Sequence, residues 1–459
     1  MHAGLAVVLG VYAWCVQRGM HQIDTGMGDF RHFYYAAKAM REGQDIYASR
    51  AWGCDYTPLR EYLEKLEAET PGSGQRAGYI YPPLLAWMYQ PLAGLSFPAA
   101  CRVWLVLAAL VSAATIWLVA RESVRRLRED PDAFVSLLVT VVAVAVFSDK
   151  IRAELRMGQT NLLMLLGFVL ALRWMDKRPW LAGLALGAAF NIKYLPIVLL
   201  PYFLLRRRWA LAAWFVVGVV MFSLLPALSV GWETDLQYLS RAYAGLASLV
   251  GIAPQGALPG AGTASGGGGA ANVEDIRAPF NLSITCAIAR RLPGDNVGTL
   301  ALAIGAAIAL VPVVGAIVAY RFKRVPVLAW PGAATQREFP WRTLVLLEWG
   351  TIFTLVFAFS PQMNMRHMYM DLIVVVPAIA AAACAAGRQR ALAIAAVAVT
   401  WAGLSLPPGG VKSLPFTADD WRMMGGPAIA LLIAQGLLLW CLLGWRASSA
   451  TSDRTPRSA

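Results

Sequence analysis

The chain is 459 residues long, 58% hydrophobic and only 15% charged, with a formal net charge of +13. A typical soluble domain carries about 25% charged residues, and a water-soluble globule with this composition has too few polar groups to cover itself. Together with a mean hydropathy of +0.54, these figures exclude a soluble enzyme, a disordered chain, a coiled coil and a disulfide scaffold as whole-chain readings; they leave an all-α polytopic integral membrane protein.

The first apolar run, 3–18, has no basic stretch before it. It ends in WCVQRGMHQ rather than at a small-residue cleavage site, so it reads as a retained first helix that starts inside. Residues 17–81 form a long aromatic and charged loop, in which 59–69 (LREYLEKLEAE) carries the i,i+4 charge pairs of a short amphipathic helix. The run 82–95 (PPLLAWMYQPLAGL) is too short to cross upright and reads as re-entrant or interfacial. A span at 99–120 follows, then shorter runs at 133–147 and 161–174 flanking the charged segment 148–160. The stretch 180–205 is long for one span, short for two, and broken by Lys193 and Pro196. It is predicted to form two half-helices meeting near Lys193, a break tolerated where it lines a polar cavity. Further spans are expected at 209–230, 299–320, 343–359, 368–386, 391–406 and 427–446. Between the first two of these lies a second long loop, 231–298. Its Gly-rich part, 255–271, reads as a flexible linker, because no GK[ST] phosphate loop is present. The expectation is a single membrane domain over 1–446 with about 11–13 membrane segments, re-entrant or broken helices and two large outer loops, followed by a disordered cytoplasmic tail at 447–459.

Charge assigns the sides. Loops 121–132, 173–179, 206–208, 321–342, 387–390 and 446–459 hold 20 Lys/Arg against 7 Asp/Glu, whereas 17–81, 148–160, 231–298, 360–367 and 407–425 hold 18 of each. The short basic loops are therefore expected in the cytoplasm and the long, balanced ones outside a cell (plasma) membrane. Topology and anionic membrane lipids account for the +13, with no nucleic-acid partner. The six cysteines contain no CxxC and no His/Cys cluster, so no structural zinc site is expected, nor any other metal or cofactor. Cys54 and Cys286 lie in outer loops, where a disulfide is possible, although unrelated thiols are the better reading.

Ionisable residues at the outer membrane boundary are the strongest functional lead, because charge at membrane depth is expensive. Asp29 follows the first span, and Lys193 sits at the break. Asp149, Lys150, Arg152, Glu154 and Arg156 crowd the segment before GQTN (158–161). Arg366, His367 and Asp371 follow SPQMN (360–364). Plainer roles stand beside these. Asp29 could cap a helix or pair with Arg31, Lys193 could snorkel to the interface, His367 could be a satisfied polar contact, and Glu348 and the aromatics could be structural. The sequon at Asn281 carries no function by itself.

The order of these motifs resembles glycosyltransferase family 87, the polyprenyl-phosphate-mannose-dependent mannosyltransferases of the GT-C superfamily. The resemblance rests on DFRHFYYAAKAMREGQDIY (29–47), YIYPPLLAWMYQPL (79–92), GQTNLLMLLGFVLAL (158–172), AGLALGAAFNIKYLPIVLLPYFLLRRRW (182–209) and SPQMNMRHMYMDLIVVVP (360–377), with a weaker match at APFNLSITCAIARRL (278–292). It covers roughly 25–400. NIKYLP stands where a Lys-Pro pair is usual, and one His stands where the family often shows two.

The resemblance implies a GT-C-like fold and an inverting transfer of a hexose, most naturally mannose, from a polyprenyl-phosphate donor to a lipid or glycan acceptor on the outer face. It makes Asp29 the general base and matches His367 to the family's histidine. A departing phosphate needs positive charge. Lys193 and Arg366 are the first candidates, with Arg152 and Arg156 behind them; Gln159 and Asn161 of GQTN are candidate polar contacts. Tyr81 and Tyr34 could stack on a sugar ring. The rival reading is a transporter or lipid-linked-glycan flippase without transferase activity, whose essential charges belong near the bilayer middle.

Overall fold

The computed structural model describes residues 2–23, 27–47, 79, 81–128, 132–249, 276–278, 281–294, 297–322, 325, 341–361, 363, 365–405 and 418–452. The expected helix at 59–69, the Gly-rich segment 255–271 and Cys54 lie outside them. Among the described residues the chain is helical and contains no strand.

In chain order the helices are α1 (His2–Met20), α2 (Phe30–Arg41), α3 (Pro83–Tyr89), α4 (Phe97–Leu127), α5 (Ala133–Val146), α6 (Ser148–Met157) and α7 (Asn161–Trp174). Next come α8 (Pro179–Phe190), α9 (Leu199–Leu205), α10 (Trp209–Leu224), α11 (Trp232–Leu249), α12 (Ile284–Ala289) and α13 (Gly298–Phe322). The last are α14 (Trp341–Phe359), α15 (Leu372–Cys384), α16 (Gly387–Ser405), α17 (Ala418–Met423) and α18 (Gly426–Ser452).

Among the described residues seven helical segments are long and apolar enough to cross a membrane: α1, α4, α10 with its continuation to Val230, α13, α14, α15 with the 3-10 turn before it (His367–Cys384) and α18. The pair α5 and α6 makes an eighth span if counted together, but it bends by 69° at Phe147. Three more apolar helices, α7, α8 and the segment Leu195–Leu205, are shorter. At 1.5 Å per residue they reach about 20 Å, less than the roughly 30 Å of a bilayer core. The expected 11–13 segments thus resolve into full crossings and short helices supported by neighbours. Residues 391–405 do form a helix, within α16, but Arg388, Gln389 and Arg390 in its first turn keep it out of the seven.

The centre of the bundle is α4, α7, α14 and α15. Phe168 of α7 packs edge-on against Phe353 of α14 at 4.6 Å, and α15 is almost wholly buried. By contrast α13 turns most of its apolar surface outward, as a peripheral membrane helix does. The predicted break at Lys193 is present: α8 ends at Phe190 and the chain restarts as a 3-10 turn at Leu195–Val198. Small residues let α8 and α10 run in close contact, the GLALG stretch of α8 lying against Gly218.

Candidate active site

The site is built where the N-terminus of α2, the C-terminus of α6, the N-terminus of α7 and the break after α8 meet. Two turns interlock first. Gly158 (φ +64°) ends α6 in the left-handed conformation, its amide bonding to Leu155 O at 3.1 Å and that of Gln159 to Glu154 O at 3.0 Å. Gly28 (φ +51°) precedes α2, and the Asp29 amide donates to Met157 O at 2.8 Å. A Cβ at Gly158 would lie 2.5 Å from Phe30 Cβ, and one at Gly28 would lie 2.9 Å from Met157 Cα. Only glycine combines this backbone conformation with this approach.

The interlock sets Asp29 beside Gln159. Asp29 occupies the N-cap position of α2, yet its side chain makes no capping hydrogen bond. Its Oδ2 accepts from Gln159 Nε2 instead. Lys193 approaches from the other side. Asn191 anchors the break, donating to Gly187 O (3.0 Å) and Val219 O (3.1 Å) and accepting from Ser223 Oγ at 2.8 Å. Two residues on, Lys193 Nζ donates to Asn161 Oδ1 at 2.6 Å and to Gln159 Oε1 at 3.2 Å. It also stands 5.7 Å from the centre of the Tyr81 ring, within cation–π range. Asn161 Nδ2 in turn donates to Glu154 Oε2 at 2.9 Å, and the Leu162 amide donates to Glu154 Oε1 at 3.0 Å.

A continuous chain results: Asp29, Gln159, Lys193, Asn161, Glu154. An ammonium only donates and a carboxylate only accepts, so both amides are forced into one orientation, oxygen toward Lys193 and nitrogen toward an acid. Asp29, Gln159, Asn161 and Glu154 are buried, while Lys193 is half-buried. Helix α6 turns away from α5 by 69°.

The other residues singled out from the sequence are placed as follows. Tyr81 is half-buried, its ring edge-on to Phe33 at 5.0 Å and its carbonyl accepting from Tyr47 Oη at 2.8 Å. His367 is half-buried in a 3-10 helix, Met365–Asp371, which packs against α6 and α7; Arg366 precedes it in the same turn. Arg152 lies over the Trp14 ring at 5.4 Å, and Arg156 is exposed. Tyr34 is buried among Phe30, Tyr35 and Phe97, and its hydroxyl donates to Leu95 O at 2.7 Å. The structure therefore gathers Asp29, Gln159, Asn161, Lys193 and Tyr81, and directs Arg152 and Tyr34 elsewhere. Asn281 is buried and Cys286 aims its thiol at Pro361 O (3.2 Å). Among the described residues no three His, Cys, Asp or Glu side chains gather as a metal site.

Asn191, which supports this chain, was not singled out from the sequence, and Glu154 was named only among the charges at 149–156. Asn191 looks like any polar residue beside a break. Glu154 looks like one charge among several, although Ile151, Glu154 and Leu155 share the buried face of α6. An acid at an apolar position of that i, i+3, i+4 pattern is the signal that marks it.

Chemically, the arrangement offers a carboxylate next to a cation, with a neutral amide between them. The model of glycosyltransferase family 87 matches residues 79–335, which include Tyr81, Glu154, Gln159, Asn161 and Lys193 but not Asp29, Arg366 or His367. Curated relatives include the polyprenol-phosphate-mannose-dependent alpha-(1-2)-phosphatidylinositol mannoside mannosyltransferase of Mycobacterium tuberculosis, 32% identical over 211 residues (44% of this chain, 48% of the relative). The protein of the same description from Mycolicibacterium smegmatis is 31% identical over 209 residues (42% of this chain, 45% of the relative). A pentamannoside mannosyltransferase from the latter organism is 32% identical over 138 residues (29% of this chain, 31% of the relative). The chain spans about half the length, or less, of the curated relatives it matches. No solved structure matches it. The family match covers more than half of the sequence, and on that ground the chain belongs to glycosyltransferase family 87.

Proposed function

We propose that the chain is a membrane mannosyltransferase that moves mannose from a polyprenyl-phosphate donor to a hydroxyl of a lipid or glycan acceptor, on the outer face of the plasma membrane and with inversion. The acceptor oxygen bonds to the anomeric carbon as the bond from that carbon to the phosphate oxygen breaks. Asp29 takes the acceptor proton, and the phosphate departs with its negative charge facing Lys193.

One observation carries this reading. Asp29 and Lys193, far apart in sequence, meet through a single amide, Gln159. Such a base and cation can address opposite ends of one transferring group, the hydroxyl that enters and the phosphate that leaves. The Tyr81 ring supplies an apolar surface beside the cation, and Arg366 and His367 stand on the adjoining 3-10 helix as further partners for the phosphate. The mycobacterial relatives, which are polyprenol-phosphate-mannose-dependent, support the donor. The charge asymmetry of the loops supports an outward-facing site.

The test is transfer from a labelled mannosyl polyprenyl phosphate in membranes containing the chain, wild type against Asp29→Asn. Asn keeps the shape and removes the base. The expected result is a loss of about 10²–10⁴-fold at unchanged expression. Equal transfer by both removes Asp29 from the chemistry. No transfer by the wild type, with every polyprenyl-phosphate hexose tried, overturns the reading in favour of a transporter or flippase.

A further inference from the structure

We propose that Glu154 is a positioning residue which, through Asn161, holds the Lys193 ammonium away from Asp29.

Glu154 is 2% exposed and its two carboxylate oxygens have different tasks. Oε1 accepts from the Leu162 amide at 3.0 Å. This amide belongs to the first turn of α7, where backbone donors lack intrahelical partners. The ordinary capping residue, Thr160, leaves its buried hydroxyl without a hydrogen bond. Glu154 thus caps α7 from a neighbouring helix, but that task needs one acceptor atom and no charge. The second oxygen, Oε2, accepts from Asn161 Nδ2 at 2.9 Å and so fixes the flip of that amide with its oxygen toward Lys193. If the flip reversed, Nδ2 would meet the ammonium donor to donor.

The consequence lies in the two distances from Lys193 Nζ, 2.6 Å to Asn161 and 3.2 Å to Gln159. Lys193 is held more tightly on the Glu154 side. Without that arm, the nearest anion along the chain is Asp29, one amide away. An ammonium drawn onto Asp29 would pair with the base and withdraw from the phosphate, disabling both. The burial of a second acid in this site is then explained: it offsets the pull of the first. The statement about Lys193 stands on geometry alone; its effect on transfer rests on the proposed function.

The experiment labels the purified full-length chain in detergent with acetic anhydride and follows acetylation of Lys193 by mass spectrometry. Four proteins are compared: wild type, Glu154→Gln, Asp29→Asn and the double variant. Glu154→Gln is expected to slow labelling about tenfold or more, the effect of one charge-assisted hydrogen bond gained by the amine. Asp29→Asn alone changes it by less than about twofold. In the double variant the slowing is reversed and labelling exceeds that of the wild type. A purely structural role for Glu154 predicts the same change whether or not Asp29 is present, and that result, or no change at all, overturns the proposal. If Glu154→Gln does not fold, Asn161→Ala takes its place, because it breaks the arm while Glu154 still caps Leu162; the same dependence on Asp29 is expected. Transfer measured alongside separates the two readings. An inactive wild type with the expected labelling pattern overturns the transferase and leaves the positioning intact, whereas an active wild type without the pattern does the reverse.

Discussion

The two polar clusters of the bundle lie near opposite ends of α4, about 40 Å apart along a helix that rises 1.5 Å per residue. At the far end charges touch directly. Glu122 takes Arg125 at 2.6 Å and Arg126 at 2.8 Å, and Asp176 takes Arg126 at 3.3 Å and Arg208 at 3.2 Å. A neighbouring group pairs Arg206 with Glu348, which also accepts from Tyr202 at 2.8 Å and Tyr320 at 3.3 Å. At the near end, Gln159 separates Asp29 from Lys193, and Asn161 separates Lys193 from Glu154. Directly paired charges cancel each other and lock helices together. Charges spaced by amides stay oriented without being cancelled, so they remain available to a substrate. On the function proposed above, the comparison assigns stability to one cluster and chemistry to the other.

The largest effects test that division. Asp29→Asn is expected to remove transfer by the 10²–10⁴-fold already given while leaving thermal unfolding of the purified protein essentially unchanged. Arg206→Met should do the opposite. It strands the buried Glu348 carboxylate, a change that costs about 3–5 kcal/mol. Unfolding in detergent should move accordingly, while the protein that remains folded keeps its transfer rate per molecule. Changing Glu348→Leu as well should recover most of the lost stability. If Arg206→Met lowered the turnover of folded protein as strongly as Asp29→Asn does, the two clusters would be coupled and the division would fail.

Much of this was legible in the sequence, for identifiable reasons. Asp29 stood out because it follows an apolar span, Lys193 because it interrupts one, and Gln159 and Asn161 because GQTN opens a short apolar helix. The pairing of these residues was not legible, because nothing local connects α2, α6 and the break after α8. Tyr34 shows the same limit. An aromatic residue beside a charged motif suits a sugar or a core equally well, and here it packs on Phe97 at 5.2 Å. The number of crossings was blurred because α7 and α8, flanked by neighbours, are stable at lengths that could not span alone. The SDKIRAELRM segment reads as a solvated charge cluster until the buried face of α6 is drawn.

A smaller effect is expected at the interlock that aligns the near cluster. Gly158→Ala forces a left-handed backbone on a residue with a side chain, which costs roughly 1–2 kcal/mol. It also places a methyl group 2.5 Å from Phe30 Cβ. The turn must shift, moving Gln159 relative to Asp29. Transfer should therefore fall further than the loss of stability explains, measured as rate per folded molecule. Equal losses in both would make the interlock a packing feature only.

The smallest prediction concerns an acid that belongs to neither cluster. Asp235 is buried in the first turn of α11, outside the spans, and burial pushes its carboxyl up to about 6. The sign follows from proton counting. Between the unfolded value, about 3.9, and 6, the folded chain binds a proton that the unfolded chain does not. Stability therefore falls as pH rises through this window. At neutral pH the buried charge costs on the order of 3 kcal/mol. Asp235→Asn should stabilise the protein at pH 7.5, and the gain should fade as pH drops toward 4, where the wild-type group is neutral in both states. Paired melting curves at these two pH values measure it. A gain that persists unchanged at low pH would mean that the side chain is under steric strain rather than electrostatic strain. Buried charge in this fold is then tolerated in three ways: cancelled by contact, held apart by amides, or carried at a cost that protonation relieves.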